Sequence, residues 1–118
     1  MALVFVIHEH SGFGPTHFDL MLEDGPALAT WQIPVSPFEI GQGASISATK
    51  LPDHRRHYLD YQGPVSGDRG EVRRLEKGTY ELLARDEGLW RVRLRGGAME
   101  ADFELAGQGE NIWQLHRL

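Results

Sequence analysis

The sequence predicts an all-β fold, a single compact β-barrel of about eight short, mostly antiparallel strands in one domain over residues 1–118. Three observations carry that expectation. Apolar residues recur with a period of two rather than about 3.6. The 14 glycines and 6 prolines are scattered through the chain, leaving a long helix few places to form. Gly96-Gly97 sits between two alternating runs, the clearest hairpin signal in the chain.

The first strand is read over 2–10, with Leu3, Phe5 and Ile7 on one face and Val4, Val6, His8 and His10 on the other. The second, over 16–23, sets Phe18, Leu20 and Leu22 against His17, Asp19, Met21 and Glu23. Asp24-Gly25 marks a turn and 27–33 a return strand, with the register open because Pro26 lacks an N–H. A loop over 34–43 leads to a strand over 44–51, and 54–61 is polar and irregular, with room for one helical turn. Short strands over 71–76 and 79–84 flank Lys77-Gly78. In the last third, strands over 89–95 and 98–105 surround Gly96-Gly97, and 112–116 closes the chain. A two-residue loop at Gly96-Gly97 would pair Arg93 with Glu100 and Arg91 with Asp102. On the opposite face it would set Trp90, Val92 and Leu94 against Phe103, Ala101 and Met99. The arginine stripe of Arg91, Arg93 and Arg95 then reads as a neutralised ladder, and Trp31, Trp90 and Trp113 as core.

Composition narrows the chemistry. There is no cysteine, which excludes disulfides, thiolate catalysis and cysteine-based zinc sites, so any metal must be held by nitrogen and oxygen. The apolar start, residues 1–7, is too short for a secretory signal and has no basic flank. No window reaches the length of a membrane span, so the expectation is a cytoplasmic protein without a membrane partner. The formal charge of −5 argues against gripping an extended duplex and leaves room for weak engagement of a nucleic-acid end.

Three of the six histidines lie within ten residues of one another, beside an aspartate. His8 and His10 share a strand face, as do His17 and Asp19, so adjacent strands would converge four donors with Val6 and Met21 as apolar flanks. A lone strand histidine is most often a satisfied or exposed one. Two such pairs on neighbouring strands favour a metal. Imidazole suits Mn²⁺, Zn²⁺ and related ions, the carboxylate favours the harder of them, and two histidines with one carboxylate leave open positions. Arg55, Arg56 and His57, within the cationic stretch 50–61, could meet a phosphate or form a solvated loop.

The segments Phe5-Val-Ile-His-Glu-His10 and His17-Phe-Asp-Leu-Met-Leu-Glu23 resemble the 3′-phosphoesterase domain of bacterial DNA ligase D. Asp24-Gly25, the Trp31 strand, His57-Tyr-Leu-Asp-Tyr61 with Gly63, Lys77-Gly-Thr-Tyr80 and Trp113-Gln-Leu115 follow in the family's order. The resemblance implies a compact β-barrel that processes DNA 3′ ends with Mn²⁺, removing a terminal ribonucleoside and a 3′-phosphate. By position, His10, His17 and Asp19 would be the metal ligands. His57 and Tyr61 would contact the phosphate, with His57 a candidate for proton transfer and Glu23 a supporting carboxylate. Met21 and Val35 stand where the family has an arginine and a lysine, and His8 stands where it usually has glutamine. His8 could add a ligand, and Arg55 or Arg56 could replace the lost charge.

The leading expectation is a metal-dependent phosphoesterase acting on nucleic-acid 3′ ends, with Mn²⁺ first and Zn²⁺ or another transition metal as alternatives. Its partners would be a weakly bound 3′ end and DNA repair proteins. One alternative is a weak or inactive relative that binds metal and a nucleic-acid end or a protein partner. Another is a metal barrel acting on a different small phosphorylated substrate.

Overall fold

The computed structural model describes residues 2–97 and 99–118. The strands are β1 (Leu3–Ser11), β2 (His17–Asp24), β3 (Ala27–Ile33), β4 (Ser45–Arg55), β5 (Gly63–Pro64), β6 (Glu71–Asp86), β7 (Leu89–Gly96), β8 (Met99–Gly109) and β9 (Ile112–Arg117). Single 3₁₀ turns lie at Pro37–Glu39 and Arg56–Leu59. The strands run in the order β1-β2-β3-β4-β9-β8-β7-β6, and β6 pairs back onto β1. That closes an eight-stranded antiparallel barrel and removes its edges, while β5 adds a short extra pairing on β6.

Period-two alternation builds the interior. Phe5 and Ile7 of β1, Leu20 and Leu22 of β2, and Phe103, Leu105 and Leu115 are all fully buried within one core cluster. Trp31 stands edge-on to Trp90 at 5.3 Å and to Trp113 at 5.5 Å, so the three tryptophans pack as core. The outward face of β1–β3 carries a second apolar cluster. Val6, Met21 and Leu28 lie there beneath Leu59, with Val4 and Tyr58 packed alongside. The Arg56–Leu59 turn thus roofs part of the barrel wall, which is why residues on an outward face are buried at all.

The Pro26 question resolves simply. Asp24 pairs with Ala27, and Gly25 takes φ +61° at the first central position of a two-residue turn. A type II′ turn asks for that conformation there and leaves the next position at the negative φ proline prefers.

Two expectations are corrected. The strands expected over 71–76 and 79–84 are one strand, β6, which pairs with β1 along Glu71–Tyr80 and with β7 from Gly78 onward. Gly78 is a site of close approach rather than a turn, because a Cβ there would lie 2.1 Å from the Arg95 carbonyl oxygen. The last hairpin is displaced by two residues: Gly96 pairs with Met99, Arg93 with Asp102 and Arg91 with Glu104. Gly96 belongs to the strand, because a Cβ there would meet the Phe5 ring at 2.9 Å, and Gly97 turns at φ +46°. The expected strand start at residue 98 lies outside the described residues. A shift of two keeps every side chain on its face, so the ladder survives with new partners, Arg93–Asp102 at 2.8 Å and Arg91–Glu104 at 2.7 Å.

Candidate metal centre

His8 lies opposite Asp19, and His10 opposite His17, across the β1–β2 pair. All four point away from the core, because Ile7, Phe18 and Leu20 take the inward positions. Two irregularities flank this tile. Ile7 pairs with Glu76 but His8 with Arg74, leaving Leu75 as a bulge in β6, and β4 bulges where Leu28 meets His54 and Thr30 meets Leu51. Bulges bend strands and re-aim side chains, and here they fall at the two borders of the site.

The rings of His10 and His17 stand 4.7 Å apart, and His17 Nε2 lies 3.6 Å from Asp19 Oδ1. One donor atom from each of His10, His17 and Asp19 falls within a 4.8 Å span, close enough for one small cation. His10 Nε2 lies 2.6 Å from the Arg69 carbonyl oxygen. A carbonyl only accepts, so Nε2 carries the proton and Nδ1 is left with its lone pair, the outer-shell arrangement that orients a ligating imidazole.

The residues fit a metal on a second count. Asp19 is 5% exposed, and its Oδ1 has no hydrogen-bond partner. Burial raises its pKa, against the lowering influence of His17, His54 and His10. A buried carboxylate oxygen facing only imidazoles is costly unless a cation completes it. His8 is 1% exposed with Nε2 unpartnered, and its pKa is lowered to about 4, by burial first and by His54 second. It is a neutral imidazole beside the triplet, deeper than His10.

These residues line a cavity of about 380 Å³ together with Phe13, Met21, His54, Tyr58, Val72 and Arg69. Met21 is 1% exposed and serves both the cavity wall and the outer apolar cluster. Val35 packs against the barrel interior, so it brings no side chain to the cavity.

The other expected residues are placed elsewhere. Glu23 accepts from the Val4 N–H at 2.9 Å and pairs with Arg56, which holds its carboxyl below the usual carboxylate range. Arg56 also donates to the Gly25 carbonyl at 3.1 Å, so it is committed to the β2–β3 turn. Arg55 ends β4 exposed, opposite Ala27. His57 is exposed and stacks 4.1 Å from Tyr58, and the Tyr61 hydroxyl donates to the Pro64 carbonyl. Neither His57 nor Tyr61 is among the residues lining the cavity.

The residues that sequence reasoning missed as site members are His54, Tyr58, Arg69 and Phe13. His54 reaches the cavity because β4 runs to Arg55, past a bulge at Pro52-Asp53 that alternation does not reveal. Arg69 lies in the 65–70 loop, where its carbonyl meets His10 and its Nε donates to the Ser66 carbonyl at 2.7 Å.

Residues 7–108 match the family model of the DNA ligase D 3′-phosphoesterase domain, a span that includes every residue of the centre. The chain belongs to the DNA ligase D 3′-phosphoesterase domain family. No curated protein sequence matches it. Within this family's barrel, the outward face of β1–β2 is where the His-His-Asp group stands, with His8 behind it and Arg69 at the rim.

Proposed function

We propose that this protein is a metal-dependent phosphoesterase acting on nucleic-acid 3′ ends. The observation that carries the reading is the triplet of His10, His17 and Asp19, held within 4.8 Å on the wall of an open cavity in a chain of this family. Two imidazoles and a carboxylate suit Mn²⁺ first and Zn²⁺ or a similar ion next. Bound there, such an ion supplies Lewis-acid polarisation of a phosphate oxygen.

The chain's own groups then divide the remaining work. Arg69, the one arginine among the described residues lining the cavity, offers guanidinium N–H donors to a phosphate while its Nε stays braced on Ser66. His54 Nδ1 lies 3.0 Å from the Pro52 carbonyl oxygen, which fixes the proton there and leaves Nε2 able to take one from water or give one to a leaving oxygen. In this arrangement His54 does what family position assigns to His57. Met21, Tyr58 and Val72 keep the inner wall apolar and limit competing water.

A second reading, end binding with little turnover, is favoured by one observation. Met21 and Val35 bring no charge, and Arg56 is spent on Glu23. Phosphate release from a 3′-phosphorylated oligonucleotide, measured with and without Mn²⁺ and compared with a 3′-mononucleotide, separates the two. Turnover that needs Mn²⁺, and that Asp19→Asn abolishes, supports catalysis. Binding of the end without release at any metal concentration supports the second reading.

A further inference from the structure

The loop between β1 and β2 presents an aromatic side chain that the barrel does not use. Phe13 is 54% exposed, between Gly12 at φ +82° and Gly14 at φ +69°. Two glycines in the left-handed region fix a turn that few other residues would tolerate, and the turn holds an apolar ring out in water. Phe13 also lines two cavities, the metal cavity and a neighbouring groove of about 490 Å³. Gln32 and His17 are shared by both, so the groove opens directly onto the metal ligands.

The groove's lining is unlike that of the metal cavity. Phe13, Pro15, Ile33 and Pro34 give it apolar surface, Thr16, Gln32, Ser47 and Thr49 bring hydroxyls and an amide, and His17 is the one ionisable side chain among the described residues lining it. A surface of this kind is poor at holding a phosphate. It suits a neutral, flat heterocycle on a sugar, which can stack on an aromatic face and exchange hydrogen bonds with hydroxyl and amide groups.

We propose that this groove is the subsite for the terminal nucleoside of the 3′ end, with its base stacked on Phe13 and its 3′-phosphate reaching the His10–His17–Asp19 centre. The assignment rests on the phosphoesterase reading and adds to it the requirement for a base. Stacking is tolerant of base identity, so the subsite selects an end that carries a base over one that does not. The neutral lining also lets an acidic protein of net charge −5 hold an end without a basic track.

The test uses two oligonucleotides with a non-hydrolysable 3′-methylenephosphonate, one with a terminal base and one abasic at that position. Their affinities are measured by fluorescence anisotropy with Mn²⁺ present. The base-bearing end should bind on the order of tenfold tighter or more to the wild type. Phe13→Ala should bring that ratio to about one, while Phe13→Trp keeps it. Mn²⁺ affinity and melting temperature should hold in both variants, since Phe13 is neither a ligand nor core. Equal binding of the two ends by the wild type would overturn the subsite and leave the phosphoesterase reading standing. A preference that survives Phe13→Ala would overturn the subsite too. Failure of both ends to bind would sink the phosphoesterase reading and the subsite together.

Discussion

Asp19 is held at a cost to the stability of the metal-free fold. Its carboxylate is buried, one oxygen has no partner, and the groups that favour its charge are histidines rather than lysine or arginine. Asparagine at the same position would keep the shape and remove the charge that burial penalises. Asp19→Asn is therefore expected to melt a few degrees higher than wild type in metal-free buffer, and to lose most of its Mn²⁺ affinity by calorimetry. A lower metal-free melting temperature would mean that the histidines already repay the carboxylate. Met21 presents the opposite case. Read from the strand alone, it is a position where an arginine would serve a transition-state phosphate with two charge-assisted hydrogen bonds. The fold shows its side chain 1% exposed among Val6, Leu28 and Leu59. Met21→Arg should lower the melting temperature by roughly 10 °C or more, through lost packing and a poorly solvated charge. Met21→Leu should cost little, being nearly volume-conserving. An arginine variant as stable as the leucine one would show that the side chain escapes into the cavity. In that case its metal-dependent rate should rise at least about tenfold.

At the scale of elements, alternation decides most of what is legible. The faces of β1 and β2 follow from His8, His10, His17 and Asp19 sharing one parity against Phe5, Ile7, Leu20 and Leu22. That parity is enough to set the donor triplet on one face of two adjacent strands. What alternation does not encode is where two backbones touch. Gly78 and Gly96 look like turn residues in the sequence, and both are strand residues whose missing Cβ makes room for a neighbour. For that reason the sequence pattern divides β6 in two and misplaces the last hairpin by two residues. The bulges that bring His54 to the cavity and leave Leu75 extra on β6 are likewise unmarked, since one inserted residue looks like any other. Gly78→Ala tests this account of β6. Its Cβ would fall 2.1 Å from the Arg95 carbonyl oxygen and 2.7 Å from the Gly96 Cα, both backbone atoms that cannot step aside. The variant should lose on the order of 1–3 kcal/mol by chemical denaturation. Gly88→Ala, where nothing lies within 4 Å of the added Cβ, should not. Equal stability of the two variants would mean that β6 and β7 separate easily at that point.

The whole molecule is an acidic barrel in which most of the cations are paired with carboxylates. Arg91 and Arg93 pair with Glu104 and Asp102, Arg95 with Glu100, Arg85 with Asp24, Arg73 with Glu9, and Lys77 and Arg74 share Asp60. Each such surface pair contributes little stability, but together they leave no continuous positive face among the described residues to track a phosphodiester backbone. Among the described residues no helix is long and apolar enough to cross a membrane. On the phosphoesterase reading proposed above, recognition of a nucleic-acid end is local, through the Arg69 rim and the His10–His17–Asp19 centre. The slope of log affinity against log salt counts released counterions, roughly 0.9 per phosphate neutralised on duplex DNA and less on single strands. One arginine and a bound divalent ion should give a slope of magnitude about one to two, where a protein that tracks a duplex shows several times that. Anisotropy titrations of a 3′-phosphorylated oligonucleotide across a series of salt concentrations, with Mn²⁺ fixed, measure it directly. Binding should also vanish on closed circular duplex, which has no end to enter the cavity. A steep slope, or tight binding to the closed circle, would show that the ion-paired arginines exchange their carboxylates for phosphates. The charge ladder on β7 and β8 would then be a nucleic-acid face after all.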